Sequence, residues 1–204
     1  MRTRSLIFAA VFLQISSSAY ADSTTVNGIK WYYKVENNGT ATLYDEAGGH
    51  VACACISTDT AGAITIPSVL GGHTVSKIGE FAFLACSKVT SITIPSSVTS
   101  IDEYAFCRCT GLTSLMIPEN VTAIGNCLFS GCTGLTHVDF PSWVSNVPEG
   151  TFRGCTSISG DLSVLPATAT RIEADTFAGC NFASLRIPKR ITYIGPSAFS
   201  ASSA

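Results

Sequence analysis

Charged side chains are scarce in this sequence: only 13% of its 204 residues are Asp, Glu, Lys or Arg, while 46% are hydrophobic. An average soluble domain carries about twice that share of charge, so a disordered acidic or basic tail is excluded and a buried core is possible. The formal net charge of -2 also lacks the basic excess with which nucleic-acid-binding proteins neutralise phosphates. We therefore expect a folded protein whose partners do not include nucleic acid.

Long hydrophobic runs are missing as well. The run from Leu6 to Ile15 covers ten residues, whereas about 20 are needed to cross the hydrocarbon core of a membrane. A basic segment precedes this run and small residues follow it up to Ala21, which is the pattern of a secretory signal peptide. We predict that residues 1–21 are removed, that the mature protein begins at Asp22 without a membrane span, and that it is secreted or held at the cell surface.

Motifs for catalysis and metal binding are also lacking. The sequence contains no Gly-x-Ser-x-Gly, no His-Glu-x-x-His and no Gly-x-x-x-x-Gly-Lys-Ser/Thr, so hydrolase, metalloprotease and phosphate-loop interpretations have no support. The pairs Cys53-x-Cys55 and Cys107-x-Cys109 are more closely spaced than the Cys-x₂₋₄-Cys pairs of zinc sites. We expect no enzymatic activity, no catalytic residue, no cofactor and no metal.

The sequence does contain a repeat of about 23 residues. Phenylalanine recurs in steps of 23, 23, 23, 25 and 22 residues. A cysteine stands three residues after each of the first five, and an aliphatic residue stands five residues before all six. The phenylalanine, the cysteine and the aliphatic residue recur together at fixed distances from one another. This recurrence indicates a solenoid, in which each unit stacks on its neighbours. The phenylalanines are Phe83, Phe106, Phe129, Phe152, Phe177 and Phe199.

Each unit is predicted to contribute one short strand. Apolar residues alternate and then stop at a proline, as in Leu112-x-x-Leu115-x-Ile117-Pro118, which indicates a strand with one buried face. The pattern recurs over residues 89–95, 135–141 and 182–188, and two extra residues around Ser159–Asp161 interrupt it in the fourth unit. The other half of a unit is too short for a helix, so we predict a turn or 3₁₀ segment there. Its inward-pointing residues in the second unit are Ile101, Phe106 and Cys109.

These units resemble the BspA-like leucine-rich repeats of bacteria and microbial eukaryotes. The joint pattern of Ile-Pro, Ala-Phe, Cys and Leu-Thr-Ser-Leu extends over about residues 64–199, as in IPSSVTSIDEYAFCRCTGLTSLMIP. The resemblance implies a repeat solenoid of the leucine-rich-repeat type, with one short parallel strand per coil and a role in adhesion. We count about five coils over residues 64–204 and expect no C-terminal cap.

Residues 22–63 differ in composition and are predicted to form an N-terminal β cap. Apolar residues alternate between Asn-Gly dipeptides at 27–28 and 38–39, which indicates a β-hairpin. Such a hairpin is suited to covering the open edge of the first coil. The alternating residues are Ile29, Trp31, Tyr33 and Val35.

The chain contains nine cysteines. In an exported protein they favour disulfides, because the compartments outside the cytosol are oxidising. Five of them, however, share one repeat position, and we expect these to be buried, unreactive thiols that pack the coil interior. They are Cys86, Cys109, Cys132, Cys155 and Cys180. The better disulfide candidates are Cys53, Cys55, Cys107 and Cys127, with no connectivity assigned.

The outward positions of the predicted strands form the candidate ligand face. Our leading hypothesis is a secreted or cell-surface recognition or adhesion module that binds a protein or glycan of a host-cell, matrix or microbial surface through this face. The alternative is a structural spacer, or a fragment of a longer surface protein, with no ligand of its own. The candidate residues are Ser91, Thr93, Ser114, Met116, His137, Asp139, Ser184 and Arg186.

Overall fold

The computed structural model describes residues 22–44 and 54–202, and in these residues the regular structure consists of short β-strands without an α-helix. In chain order the strands are β1 Asp22–Val26, β2 Ile29–Val35, β3 Ala41–Leu43, β4 Gly62–Thr65, β5 Val69–Leu70, β6 His73–Ile78, β7 Val89–Thr93, β8 Ser100–Ile101, β9 Ser114–Met116, β10 Ala123–Ile124, β11 His137–Asp139, β12 Asn146–Val147, β13 Arg171–Ile172 and β14 Tyr193–Ile194.

Strands of consecutive coils pair in parallel, so the predicted solenoid is confirmed. Along one side, β4 pairs with β7 and β9 pairs with β11, with Leu115 opposite Val138. Along another side, β6, β8 and β10 form one series and β12, β13 and β14 form a second. The sequence pattern predicts only turns in this half of the coil, because a strand of two residues leaves no alternation to detect. The structure thus adds a second, very short strand to most coils.

The repeated phenylalanines form the centre of the core. Successive rings stack nearly parallel, with centroids 5.4 to 6.0 Å apart and interplanar angles of 11 to 16°. Offset stacking of this kind adds to the free energy that burial of the rings provides. Ile101 and Cys109 are buried beside them, so the predicted inward positions are confirmed. We call the six stacked rings the phenylalanine column: Phe83, Phe106, Phe129, Phe152, Phe177 and Phe199.

The predicted N-terminal hairpin is present and extends the solenoid beyond its first coil. β1 pairs with β2 and β2 with β3 in antiparallel fashion, and β3 then pairs in parallel with β6. Trp31 and Tyr33 are buried, whereas Lys30 before them and Lys34 after them are exposed, as the alternation predicts. The ring of Trp31 meets Phe83 edge-on at 6.4 Å between centroids. The meander β1–β3 therefore covers the N-terminal end of the phenylalanine column.

The fourth coil interrupts the line of strands that begins with β4. Residues 156–166 form turns and no strand, because the two extra residues of this unit break the strand register. One backbone hydrogen bond still joins this segment to the next coil. The Arg186 N–H donates to the carbonyl oxygen of Gly160 at 2.7 Å. The strand predicted over residues 182–187 is therefore absent, and that part of the prediction is wrong.

Candidate functional site

The exposed side of β7, β9 and β11, which we call the strand face, carries six of the eight predicted ligand residues. Strand geometry alternates side chains between the two sides of the backbone. Ile92, Leu115 and Val138 point inward and are buried. The residues that point outward and are exposed are Ser91, Thr93, Ser114, Met116, His137 and Asp139.

These six side chains line one shallow groove of about 330 Å³ that crosses the three strands. Met116 belongs to the middle strand and lies opposite Asp139 in the pairing of β9 with β11. It is 67% exposed, more than any other large hydrophobic side chain of the described residues. Hydroxyl, imidazole and carboxylate groups surround this apolar side chain. Binding sites commonly combine apolar contact area with a few polar groups that set the orientation of the ligand.

Two ionisable side chains of the groove lie within hydrogen-bond distance of each other. His137 Nε2 lies 2.9 Å from Asp139 Oδ1, and both side chains are more than half exposed. A pair this exposed contributes at most about 1 kcal/mol to folding, so a ligand can replace it at little cost. The pair can donate a hydrogen bond from the imidazole and accept one at the carboxylate, which suits a polar ligand.

The remaining two predicted residues, Ser184 and Arg186, lie apart from this groove. Both are exposed, and with Asp161 they line a more polar depression of about 530 Å³ between the fourth and fifth coils. Because residues 156–166 of the fourth coil form no strand, this depression does not continue the pairing of β9 with β11. The single ligand face predicted across all coils is therefore divided into the strand-face groove and a separate depression.

Sequence reasoning missed an exposed aromatic residue near the end of β11. Trp143 is 47% exposed, and its Nε1–H donates to the Val121 carbonyl oxygen at 2.8 Å, which fixes the indole. The neighbouring Glu119 carboxylate accepts hydrogen bonds from Ser142 N–H and Oγ–H. The position of Trp143 in the repeat could have indicated its exposure. It stands two residues after a repeat proline, where the preceding unit has the polar residue Asn120. An exposed, fixed aromatic ring adds contact area at low entropic cost.

All eight cysteines within residues 22–44 and 54–202 are free thiols. Three of the predicted disulfide candidates, Cys55, Cys107 and Cys127, are therefore unpaired with one another. The fourth candidate, Cys53, lies outside the described residues. These thiols supply no covalent cross-link between the described coils.

The cysteines at the repeat position are buried as predicted, and they also donate hydrogen bonds. Four S–H groups donate to a phenylalanine carbonyl oxygen of the preceding coil, as from Cys132 to Phe106 at 3.0 Å. In the last coil Ser202 takes this position and its Oγ–H donates to Phe177 at 2.8 Å. Burial raises the pKa of Cys86 to about 12 and that of Cys180 to about 11. Because the thiolate is the reactive form, these groups are poor nucleophiles at neutral pH.

The mutation Cys132→Ser is expected to lower the free energy of unfolding by about 1 to 3 kcal/mol. The hydroxyl can keep the bond to the Phe106 carbonyl, as Ser202 does in the last coil, but the smaller oxygen underfills a fully buried site. Urea denaturation measures the loss, with Thr133→Ser on the adjacent exposed position as the control. Rapid modification of Cys132 by a thiol reagent in the native protein would show that the site is not buried.

In the described part of the chain, no three or more His, Cys, Asp or Glu side chains form a group that could hold a metal ion. Within the same residues, no helix has the length and apolar character required to span a membrane.

Comparison with known proteins gives a family match over most of the repeat region. Residues 76–204 match the BspA type leucine rich repeat region in six copies, one more than the five nearly complete units counted from the sequence. No curated protein matches the chain.

Several solved structures share the fold. A leucine-rich repeat protein from T. pallidum is 20% identical and superposes with a TM-score of 0.54 over 81% of this chain and 78% of its own length. A leucine rich cell surface protein from Faecalibacterium prausnitzii is 28% identical, with a TM-score of 0.54 over 88% of this chain and 52% of its own. A leucine-rich repeat protein from Eubacterium ventriosum is 25% identical, with a TM-score of 0.57 over 90% and 50%. The chain spans about half the length of the latter two proteins.

Proposed function

The chain belongs to the BspA-type leucine-rich repeat family, and from this membership we propose that it is a secreted or cell-surface recognition module that binds a protein or glycan through the strand face. Its role is binding and not catalysis. The observation that carries the proposal is the groove over β7, β9 and β11, with the highly exposed Met116 at its middle.

Location at the cell surface is supported by two observations of different kinds. The similar protein from Faecalibacterium prausnitzii is described as a cell surface protein. The N-terminal segment up to Ala21 has the composition of a secretory signal peptide. N-terminal sequencing of exported protein is expected to begin at Asp22, and an intact Met1 would contradict the signal peptide.

The chemistry of the groove favours a neutral, hydrogen-bonding ligand surface with some apolar character. Serine and threonine hydroxyls can donate to and accept from glycan hydroxyls or peptide groups. Among the described residues that line the groove, only His137 and Asp139 are ionisable, so the groove lacks the concentrated charge that a strongly anionic or cationic ligand would need. A shallow groove of this size supports modest affinity, which repeated copies on a surface would raise through avidity.

The direct test replaces Met116, His137 and Asp139 together with serine. All three side chains are exposed, so the circular-dichroism spectrum is expected to stay unchanged. Attachment of the purified protein to epithelial cells, immobilised matrix proteins and bacterial cells is expected to fall at least about tenfold, because a few residues near the centre of an interface carry most of its binding energy.

A matched control variant replaces Glu103, Glu149 and Arg153 with serine. These exposed side chains lie on the turn side of the coils, and their loss is expected to leave attachment intact. The reverse outcome, with attachment lost in this control and kept in the strand-face variant, would reject the proposal. Failure of the unmodified protein to attach to any of these surfaces would favour the structural spacer.

A further inference from the structure

The polar depression between the fourth and fifth coils has a volume of about 530 Å³ and shares no lining residue with the strand-face groove. Residues 156–166 form turns here, so the fourth coil leaves the line of strands that runs through β9 and β11. The hydrogen bond from the Arg186 N–H to the Gly160 oxygen, at 2.7 Å, joins the two coils along the depression. The depression is therefore a feature of the irregular fourth unit.

Among the described residues that line this depression, Arg186 alone carries a positive charge. Its side chain is exposed, and within residues 22–44 and 54–202 its guanidinium group has no hydrogen-bond or ion-pair partner. In contrast, Lys77 and Arg171 each pair with a carboxylate at 2.7 Å. A guanidinium group presents its N–H donors in a plane that matches the two oxygens of a carboxylate. Arg186 can therefore bind an anionic group without first losing a partner in these residues.

Asp161 adds a negative charge to the same depression. Its Oδ1 accepts a hydrogen bond from the Ser163 N–H at 2.9 Å, which holds the side chain in place and lowers the pKa of Asp161. The ionised carboxylate has further lone pairs that can accept hydrogen bonds from a ligand. Asp161 and Arg186 form no ion pair with each other. Exposed hydroxyl side chains line the remainder of the depression, at Thr156, Ser157, Ser159 and Ser184.

Of the anionic ligands that fit Arg186, an acidic sugar also fits the other groups of the depression. A hexuronic acid unit carries a carboxylate and vicinal hydroxyl groups on one ring, so it can contact Arg186 and Asp161 at once. An inorganic sulfate ion has no hydroxyl group to donate, and the negative charge of Asp161 would repel it. Peptide binding usually depends on buried aromatic or apolar anchors, but Ile158 is itself buried and most of the other lining side chains are polar.

We propose that this depression is a second binding site, which takes an acidic sugar unit of a glycan. The carboxylate of the sugar pairs with the Arg186 guanidinium group, and its vicinal hydroxyl groups donate to the Asp161 carboxylate. The serine and threonine hydroxyls exchange hydrogen bonds with the other sugar oxygens. Because the site shares no residue with the strand-face groove, it does not depend on the binding proposed for that groove.

Isothermal titration calorimetry of the full-length protein with trigalacturonate tests the proposal. Each unit of this probe carries a carboxylate and a pair of vicinal hydroxyl groups. Binding with a Kd of about 1 mM or lower is expected, as for an open polar site. Arg186→Gln is expected to weaken binding at least about tenfold. Arg186→Lys keeps the charge but loses the planar array of donors, so it is expected to give a smaller loss.

Asp161→Asn separates hydrogen bonding to the sugar from attraction by charge alone. The asparagine side-chain oxygen can keep the bond to the Ser163 N–H, so the fold is expected to be preserved. The proposal predicts binding about threefold weaker or worse, because the hydroxyl groups of the sugar lose a charged acceptor. Attraction by charge alone predicts stronger binding, since the variant removes a charge that repels the probe. Stronger binding in Asp161→Asn would therefore overturn the proposal.

The matched control is Arg153→Gln, which removes the same charge from an exposed side chain on the turn side of the coils. It is expected to leave binding unchanged, and so is Met116→Ser in the strand-face groove, which separates this site from the one proposed there. Triaspartate, a peptide of similar negative charge, is expected not to bind. Equal losses in Arg186→Gln and Arg153→Gln, equal binding of triaspartate, or no binding of trigalacturonate to the unmodified protein would each overturn the proposal.

Discussion

Replacing Phe129 with alanine is expected to lower the free energy of unfolding by about 3 to 5 kcal/mol. Phe129 is fully buried and stacks on Phe106 at 5.7 Å and on Phe152 at 6.0 Å. The ladder hydrogen bonds hold the adjacent coils at a set spacing, so the cavity left by the ring can collapse only in part. Equilibrium urea denaturation followed by circular dichroism measures the loss.

The matched control for this prediction is Phe199→Ala. Phe199 is the last ring of the phenylalanine column; it is only partly buried and stacks on one column neighbour, Phe177, at 5.6 Å. Its removal is expected to cost less than about half as much, because less apolar area returns to water and the site opens toward solvent. Equal losses at the two positions would contradict a core that depends on the interior of the column.

The second large effect is expected for Gly160→Ala. A Cβ atom at this position would overlap the carbonyl oxygen of Ser184 in the following coil. The last coils would have to move away, and the hydrogen bond from the Arg186 N–H to the Gly160 oxygen would be lost. We expect a destabilisation of about 2 to 3 kcal/mol, typical of overpacking against backbone that cannot relax freely.

Because each coil contacts only its neighbours, the damage should be confined to one part of the chain. Hydrogen exchange read by mass spectrometry is expected to show faster exchange after residue 160 and little change between residues 73 and 147. Ser159→Ala, at the adjacent exposed position, serves as the control and should change stability by less than about 0.5 kcal/mol. Unchanged exchange after residue 160 in Gly160→Ala would contradict the close approach of these two coils.

The regular part of the fold is predictable because it depends on the spacing of residues along the sequence. The recurrence of Phe106 and Phe129 with a cysteine three residues later predicts stacked coils before any coordinates are known. Alternation around Leu115 likewise predicts which side of β9 is buried. These features depend on the period of a strand and on the need of each coil to be covered by its neighbours.

Other features depend on contacts between coils and could not be predicted in the same way. Residues 182–187 have the regular strand pattern, but they form no strand because residues 156–166 in the previous coil provide no extended segment to pair with. The hydrogen bond that the Cys132 S–H donates to Phe106 could not be predicted from a pattern that treats cysteine as a small apolar residue. The exposure of Trp143 follows from its place at a turn and not from its hydrophobicity.

The positions of the candidate ligand residues are predictable to the same extent as the strands that carry them. Met116, His137 and Asp139 were placed on one face from alternation alone, and the register of β9 with β11 brings them together. The same rule extended across the fourth coil places Arg186 on that face, but the rule does not hold there because residues 156–166 form no strand. The division of the predicted face is thus a direct consequence of two extra residues around Gly160.

Oxidative footprinting of the attached protein tests the central claim most directly. The chain contains two methionines, Met1 and Met116, and Met116 lies highly exposed in the strand-face groove. Hydroxyl radicals oxidise an exposed thioether readily, so Met116 reports on this face at a single position. We predict that Met116 is oxidised rapidly in the free protein and is protected when the protein is attached to a cell, matrix or microbial surface. Equal oxidation of Met116 in the free and attached states, with protection found instead at Tyr104 on the turn side, would contradict the assignment of the strand face as the binding surface.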